Sequence, residues 1–145
     1  SDGRAPAGRV PAMLILAVKA EMVQMAVILI VEDDSFIRAY AEFMIQDWGH
    51  NTLSAGDVDE ALSLLRAPQQ IDALFTDVYL KKAVQGGYEL AHQAIKIRFD
   101  LRVLYTTGSA IDDSMRTMFI EGAHFLQKPY THVQLKNSVE SLLAA

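Results

Sequence analysis

Hydrophobic and polar positions along residues 26–145 follow two kinds of pattern. Short apolar runs are typical of strands buried on both faces, whereas apolar residues that recur every three or four positions are typical of amphipathic helices. Strands are predicted at Ala26–Val31, His50–Ser54, Ile71–Val78, Arg102–Thr107 and Ala123–Leu126. Helices are predicted at Ser35–Trp48, Asp57–Arg66, Tyr88–Phe99, Ile111–Glu121 and Thr131–Leu143. This alternation predicts an α/β fold, namely a five-stranded, doubly wound parallel sheet with five flanking helices.

Residues 1–24 precede this alternation. Ser1–Pro11 is rich in Gly, Pro, Ala and Arg, and Ala12–Met25 contains helix-forming residues. Lys19 and Glu21 interrupt the apolar run, and no clear cleavage site follows, so a secretory signal is not favoured. We interpret residues 1–24 as a leader, which either derives from a vector or a mis-started reading frame or forms an extra helix. Residues 25–145 are interpreted as one domain.

Composition and charge exclude several classes of protein. The chain is 51% hydrophobic, which is sufficient for one packed core and argues against disorder over most of its length. Its 18 acidic and 13 basic residues give a formal net charge of -5, which argues against a general nucleic-acid-binding protein. No apolar run approaches the roughly 20 residues of a membrane-spanning helix. The absence of cysteine excludes disulfides and thiolate metal sites.

Chemically useful side chains lie where the predicted strands end. Glu32 and Asp33 follow the first strand, Asp77 ends the third, Thr107 ends the fourth, and Lys128 follows the fifth. The carboxyl ends of parallel strands converge on one crevice, which is where open α/β sheets bind ligands. Carboxylates bind hard cations, and a lysine and a threonine can hold phosphoryl oxygens. The set predicts a site that transfers phosphate onto an aspartate.

Four motifs in this order carry a family resemblance. They are VEDD at 31–34, FTD at 75–77, TTG at 106–108 and KPY at 128–130. Over Ala26–Leu143 the sequence resembles the receiver domain of bacterial two-component response regulators, of the stand-alone, single-domain type. The resemblance implies a flavodoxin-like fold and a cytoplasmic signalling domain. It also implies that the domain is not an enzyme in the usual sense, although it has intrinsic autophosphorylation and slow autodephosphorylation chemistry.

The resemblance also implies an acceptor and a metal site. Asp77 matches the phosphorylated aspartate. Glu32, Asp33 and Asp77 match the acids that hold Mg²⁺, with Glu32 acting mainly through water, and the main-chain carbonyl of Tyr79 would complete the protein ligands. The neighbouring Asp34 is expected to cap the following helix instead.

Lys128 and Thr107 match the residues that bind the phosphoryl group. Thr106 offers an alternative register for the hydroxyl, although strand alternation sends the two side chains to opposite faces. Thr107 is favoured because Gly108 takes the place of the small residue that follows the switch threonine. The resemblance further implies a cis peptide bond before Pro129.

A conformational switch is implied as well. Thr107 would close on the phosphate, and Phe125 would rotate inward; simple core packing is the alternative for Phe125. Tyr130 stands where Phe is commoner in the family and is counted with the switch. The surface formed by helix 4, strand 5 and helix 5 would report the state; the exposed candidates on it are Met115, Met118 and His132.

The segment after Asp77 departs from the family. Most receivers continue roughly Met-Pro-x-x-Asp-Gly, whereas residues 78–90 read VYLKKAVQGGYEL, without proline and with about two extra residues before Gly87. We expect this loop to alter partner recognition or dephosphorylation. Lys81 and Lys82 add positive charge there, and as solvated loop lysines they need no function.

The partners implied are a histidine kinase or histidine phosphotransfer protein and an unidentified downstream protein. Three alternatives stay close: a non-phosphorylated pseudo-receiver, an excised receiver of a larger regulator, or one from a hybrid kinase. A phosphohydrolase with an aspartyl-phosphate intermediate would want a second acid two residues after Asp77, where Tyr79 stands. A flavodoxin-like cofactor binder would want a phosphate loop after the first strand, where the acids of EDDSF would repel phosphate.

Overall fold

The predicted strands form one parallel sheet in the order β2-β1-β3-β4-β5. The computed structural model describes residues 8–16 and 26–145. The strands are β1 (Val27–Val31), β2 (Asn51–Ala55), β3 (Ala73–Asp77), β4 (Arg102–Thr107) and β5 (His124–Gln127). Predicted and observed bounds agree within two residues, because a β-branched apolar run between turn residues marks a buried strand locally.

Five helices connect and follow the strands, as predicted for a doubly wound sheet. They are α1 (Ser35–Asp47), α2 (Val58–Arg66), α3 (Gly86–Ile97), α4 (Asp113–Arg116) and α5 (His132–Ala144). The buried side chains of α1 and α5 share one core cluster with Ile28 and Ile30 of β1. Those of α2 and α3 share the other with Leu29 and Val31. Successive residues of β1 thus face opposite cores, which explains why the strand is apolar throughout.

The prediction of a helix at Ile111–Glu121 was wrong in its extent. Only Asp113–Arg116 is helical. Asp112 caps the turn by accepting from the Met115 N–H at 2.8 Å, and the Thr117 hydroxyl donates to the Ser114 carbonyl at 2.6 Å. The Thr117 hydroxyl thus takes the Ser114 carbonyl that the Met118 N–H would use in a longer helix, and the Met118 N–H donates to the Met115 carbonyl instead. The helical periodicity of Met115, Met118 and Phe119 therefore did not suffice for a longer helix.

Most of the predicted leader lies outside the described residues. Within the described part, residues 12–16 are helical, and the side chains of Met13 and Leu16 are exposed. Among the described helices none is long and apolar enough to cross a membrane.

The sheet topology creates a crevice at the ends of β1 and β3. β1 pairs with β2 on one side and β3 on the other, and the chain then continues outward through β4. The order therefore reverses between β1 and β3, and this is where the connecting helices diverge to opposite faces. Val31 pairs with Thr76, so the residues that follow, Glu32 and Asp77, emerge side by side.

Candidate functional site

Asp77, Glu32 and Lys128 form a half-enclosed charged triad at this crevice. The Lys128 Nζ donates to Asp77 Oδ2 at 2.7 Å and to Glu32 Oε1 at 2.8 Å. The side chain of Lys128 is 19% exposed, that of Asp77 11% and that of Glu32 7%. One ammonium thus bridges two carboxylates that would otherwise repel each other in a poorly solvated site.

The burial of the triad changes its proton affinities. Burial raises the pKa of Glu32 to about 7, with Asp77 adding to the rise and the hydrogen bond from Lys128 opposing it. Burial alone would lower the pKa of Lys128, but its hydrogen bonds to Asp77 and Glu32 outweigh that effect and leave the pKa above its ordinary value. Lys128 therefore stays charged, and Glu32 is the group that takes up a proton near neutrality.

This shift predicts a pH dependence of stability in the metal-free protein. Because the folded pKa of Glu32, about 7, exceeds its ordinary 4.5, its contribution is fully present below pH 4.5 and is lost as pH rises through 7. Relative to Glu32→Gln, the free energy of unfolding should fall by up to about 3 kcal/mol between pH 5 and 8. Urea unfolding of both proteins in EDTA measures this difference; a difference independent of pH would contradict the shift.

A third carboxylate completes an oxygen cluster. Glu32, Asp33 and Asp77 each offer an oxygen, and the three lie within 4.8 Å of one another. Oxygen donors at this spacing fit a hard divalent cation such as Mg²⁺, which would relieve the repulsion among them. Asp77 Oδ1 also accepts from the Tyr79 N–H at 3.3 Å. The predicted metal ligation by the Tyr79 carbonyl stays a prediction.

Gly87 lets α3 approach the end of β3. Its N–H donates to the Val78 carbonyl at 3.0 Å, and a Cβ placed on it would lie 2.1 Å from the Asp77 carbonyl oxygen. No side chain fits in that space. Sequence reasoning compared Gly87 with the glycine that ends the family's loop but gave it no structural role. The signal that could have singled it out is its place directly before a helix-period segment.

The two threonines of β4 face opposite sides of the sheet. Thr107 is buried, and its hydroxyl accepts from the Ser109 N–H at 3.2 Å. Among the described residues no hydrogen bond joins it to Asp77. Thr106 is the residue of β4 that pairs with Asp77, and it lines a small cavity together with Glu32 and Lys128. Its buried hydroxyl has no hydrogen-bond partner within the described part of the chain. Within the described residues the predicted phosphoryl-binding hydroxyl of Thr107 is thus not hydrogen-bonded to the acids.

Phe125 and Tyr130 lie in different environments. Phe125 is half-buried and stacks on Phe119, with ring centroids 6.0 Å apart, on the same side of the sheet as α3. Tyr130 packs 6.2 Å from Phe75 on the opposite side, and burial raises its pKa. Of these two aromatic residues, Phe125 is the one on the same face of the sheet as Thr107. Phe125 pairs with Tyr105, and Tyr105 and Thr107 point to the same face because they are two positions apart on β4.

The expected reporting surface is only partly exposed. Met115 and Met118 are half-buried, contrary to the prediction that they are exposed, because the segment around α4 folds back onto the core. His132 is exposed, and its ring stands edge-on to Trp48 at 5.1 Å.

Sequence reasoning missed two residues that organise the rim. The Gln127 amide nitrogen lies within 3.2 Å of the carbonyls of Thr107, Ser109 and Lys128, and it therefore joins the ends of β4 and β5. Arg38 donates to the Glu32 carbonyl at 2.6 Å. Both side chains donate to main-chain carbonyl oxygens. Because every residue has a carbonyl, no pattern of residue types predicts such hydrogen bonds.

Two local predictions are confirmed. Asp34 caps α1, because its carboxylate accepts from the main-chain N–H groups of Phe36 and Ile37 at 3.0 and 3.1 Å. The bond between Lys128 and Pro129 is cis.

Comparison with known proteins gives this geometry a family. Residues 28–140 match the family model described as response regulator receiver domain. A response regulator receiver protein from Sinorhizobium medicae is 24% identical, with a TM-score of 0.76, over 83% of this chain and 96% of that one. A receiver domain protein from Clostridium thermocellum is 26% identical, with a TM-score of 0.73, over 83% and 95%.

A receiver domain from the hybrid histidine kinase CckA is 28% identical, with a TM-score of 0.68, over 81% of this chain and 99% of that one. No curated protein sequence is significantly similar to the chain. The family match spans more than half of the sequence. It covers all five strands, except that it begins one residue after the start of β1. The chain belongs to the response regulator receiver domain family.

Proposed function

We propose that the protein is a phosphoacceptor response regulator of two-component signal transduction and that Asp77 is the phosphorylated residue. The observation that carries this proposal is the Asp77 carboxylate itself. One of its oxygens is held by Lys128 at 2.7 Å, while Glu32, Asp33 and Asp77 together offer three oxygens within 4.8 Å. An ammonium and a cation-binding cluster thus converge on a single carboxylate at a sheet crevice.

In the proposed reaction an Asp77 oxygen attacks the phosphorus of a phosphohistidine on a histidine kinase or phosphotransfer protein. The phosphorus–nitrogen bond breaks, the imidazole leaves, and an acyl phosphate forms on Asp77. Asp33, Asp77 and the Tyr79 carbonyl, with Glu32 acting mainly through water, would hold Mg²⁺, which would neutralise charge on the phosphoryl oxygens. Lys128 already touches Asp77 and pairs with the incoming phosphoryl oxygens. Slow hydrolysis of the acyl phosphate resets the domain.

The rim of the site offers a surface for the phosphoryl donor. Phe36 is 87% exposed and Tyr40 56% exposed, and both line a groove with Lys128, Pro129 and Tyr130. Large apolar side chains grouped at a surface mark interaction sites. We expect a donor protein to contact this groove, since it lies directly beside the Lys128 side chain that reaches Asp77.

The proposal is tested with a small phosphoryl donor. The protein is incubated with acetyl phosphate, with and without Mg²⁺, and its intact mass is measured. A gain of one phosphoryl group that requires Mg²⁺ supports the proposal. If no phosphate is gained but Mg²⁺ binds, the same mass measurement is repeated with a phosphorylated histidine kinase as the donor, and that result decides whether Asp77 accepts phosphate. If neither is taken up, the proposal fails and a pseudo-receiver acting by binding alone becomes the better account.

Thr107→Ala is expected to separate phosphate uptake from the switch. The Thr107 hydroxyl accepts from the Ser109 N–H and makes no hydrogen bond to Asp77 within the described residues, so the variant should still take up phosphate. It should lose most of the phosphate-dependent NMR shift of Phe125, because no hydroxyl then draws β4 toward the phosphoryl group.

Thr106→Val is the matched control for this experiment. It removes the neighbouring hydroxyl, which faces the other side of the sheet and has no partner within the described residues. It should leave the Phe125 shift intact. Loss of the shift in Thr106→Val and its retention in Thr107→Ala would reverse the assignment of the switch hydroxyl.

A further inference from the structure

Asp33 is held by a segment far from it in sequence. The main-chain N–H of Lys81 donates to Asp33 Oδ2 at 2.6 Å, although 48 positions separate the two residues. Lys81 lies in the loop between β3 and α3, and this loop is also where the chain departs from the usual sequence of the family. A main-chain donor from this loop therefore acts on one of the three carboxylates that form the oxygen cluster.

The loop presents this donor from a built position. Leu80 is buried in the core, with 3% of its surface exposed. The Ala83 N–H donates to the Leu80 carbonyl at 3.0 Å and closes a four-residue turn, and the Gly86 N–H donates to the Ala83 carbonyl at 2.7 Å. Because Leu80 is anchored on one side and the turn is closed on the other, the N–H of Lys81 is fixed in direction.

Asp33 needs such a restraint more than its neighbours do. It is only half-buried, and it lies beside two further carboxylates that repel it. Lys128 holds Glu32 and Asp77 but makes no hydrogen bond to Asp33 within the described part of the chain. A carboxylate has about four acceptor positions, so the Lys81 N–H leaves the remainder free for a cation. The hydrogen bond from the Lys81 N–H is thus the interaction that orients the Asp33 carboxylate within the described residues, and a carboxylate already oriented loses less conformational entropy when a cation binds.

We propose that the β3–α3 loop is a positioning element of the cation site, acting through the Lys81 main-chain amide on Asp33. The inference rests on the proposed function, because the cation belongs to it. Coupling of this kind is reciprocal: if the loop favours cation binding through Asp33, then cation binding also stabilises the hydrogen bond from the Lys81 N–H to Asp33. A partner protein that draws the loop outward would lower cation affinity and thereby slow phosphoryl transfer.

The test replaces the donor while keeping the turn. Lys81 is the second residue of the Leu80–Ala83 turn, the position that proline favours in common β-turns. Its φ is negative, since Gln85 is the one non-glycine residue with positive φ in the described ranges. Lys81→Pro therefore removes the N–H at a position where the sign of φ and the place in the turn both suit proline. Lys81→Ala removes the side-chain charge and keeps the N–H, which makes it the matched control.

Calorimetric titration with Mg²⁺ is expected to show about tenfold weaker binding by Lys81→Pro, as is typical when a group that orients a metal ligand is lost. Lys81→Ala should bind within about twofold of wild type, since a single exposed lysine contributes little. Equal affinity of wild type and a folded Lys81→Pro would overturn the inference, as would an equal loss in both variants. Absence of Mg²⁺ binding by wild type would instead defeat the proposed function.

A second measurement needs no proline variant. Hydrogen exchange of the wild-type Lys81 amide should slow when Mg²⁺ is added, and it should be faster in Asp33→Ala than in wild type without metal. If neither Mg²⁺ nor the loss of Asp33 changes this exchange rate, the loop is not coupled to the cation site, whatever the effect of Lys81→Pro on folding.

Discussion

Asp77→Asn is expected to abolish phosphate uptake from acetyl phosphate, reducing it to the background of the assay. A carboxamide is not a competent nucleophile, whereas its size and shape reproduce those of the carboxylate. The substitution removes the nucleophile and leaves Glu32, Asp33 and Lys128 in place, so any loss of uptake is assigned to the Asp77 carboxylate. Intact mass after incubation with Mg²⁺ and acetyl phosphate measures the effect.

Asp100→Asn serves as the matched control. Asp100 is an exposed acid outside the oxygen cluster, and the same change of charge there should leave phosphate uptake unchanged. If Asp77→Asn still gains a phosphoryl group, then a side chain other than Asp77 is the acceptor. Peptide mapping after borohydride reduction of the acyl phosphate would then locate it.

Gly87→Ala is expected to destabilise the fold by about 3 kcal/mol. Two effects oppose each other. Alanine in place of glycine favours a helix by about 1 kcal/mol, and Gly87 lies in the first turn of α3. The added Cβ, however, would stand 2.1 Å from the Asp77 carbonyl oxygen and 2.8 Å from the Val78 Cα. These are main-chain atoms at the end of the central strand β3, and unlike the tip of a flexible side chain they cannot rotate away, so the clash dominates.

Urea unfolding of Gly87→Ala and Gly108→Ala distinguishes this clash from a general effect of losing glycine. A Cβ on Gly108 would meet no atom within 4 Å, so its free energy of unfolding should change by less than about 0.5 kcal/mol. Because relief of the clash would displace the end of β3, Gly87→Ala should also weaken Mg²⁺ binding. Equal stability of the two variants would show that α3 can shift away from β3 without cost.

The strands and the acid cluster were predictable because they depend on local patterns and one topological rule. An apolar β-branched run such as Val27–Val31 marks a buried strand, and parallel strands end at a common edge. Glu32, Asp33, Asp77 and Lys128 therefore had to meet. Their roles in phosphoryl transfer, together with those of Tyr79, Thr107, Phe125 and Tyr130, stay predictions until the experiments above are done.

The length of α4 was not predictable in the same way. Met115, Met118 and Phe119 have helical spacing, yet the helix ends after Arg116, where the Thr117 hydroxyl donates to the Ser114 carbonyl and the Met118 N–H donates to the Met115 carbonyl. Periodicity reports which face of a segment is apolar, whereas helix length depends on whether side chains compete for the main chain.

The sequence by itself determined the fold class, the order of the elements and the three acids and the lysine that gather at the crevice, since these depend on periodicity and on side chains at strand ends. The tertiary structure alone decided the hydrogen bond from Lys81 to Asp33, the closeness of Gly87 to Asp77 and the raised pKa of Glu32. The physical reason is that main-chain donors, close approaches and burial depend on distances between segments remote in sequence. Residue types alone do not specify those distances.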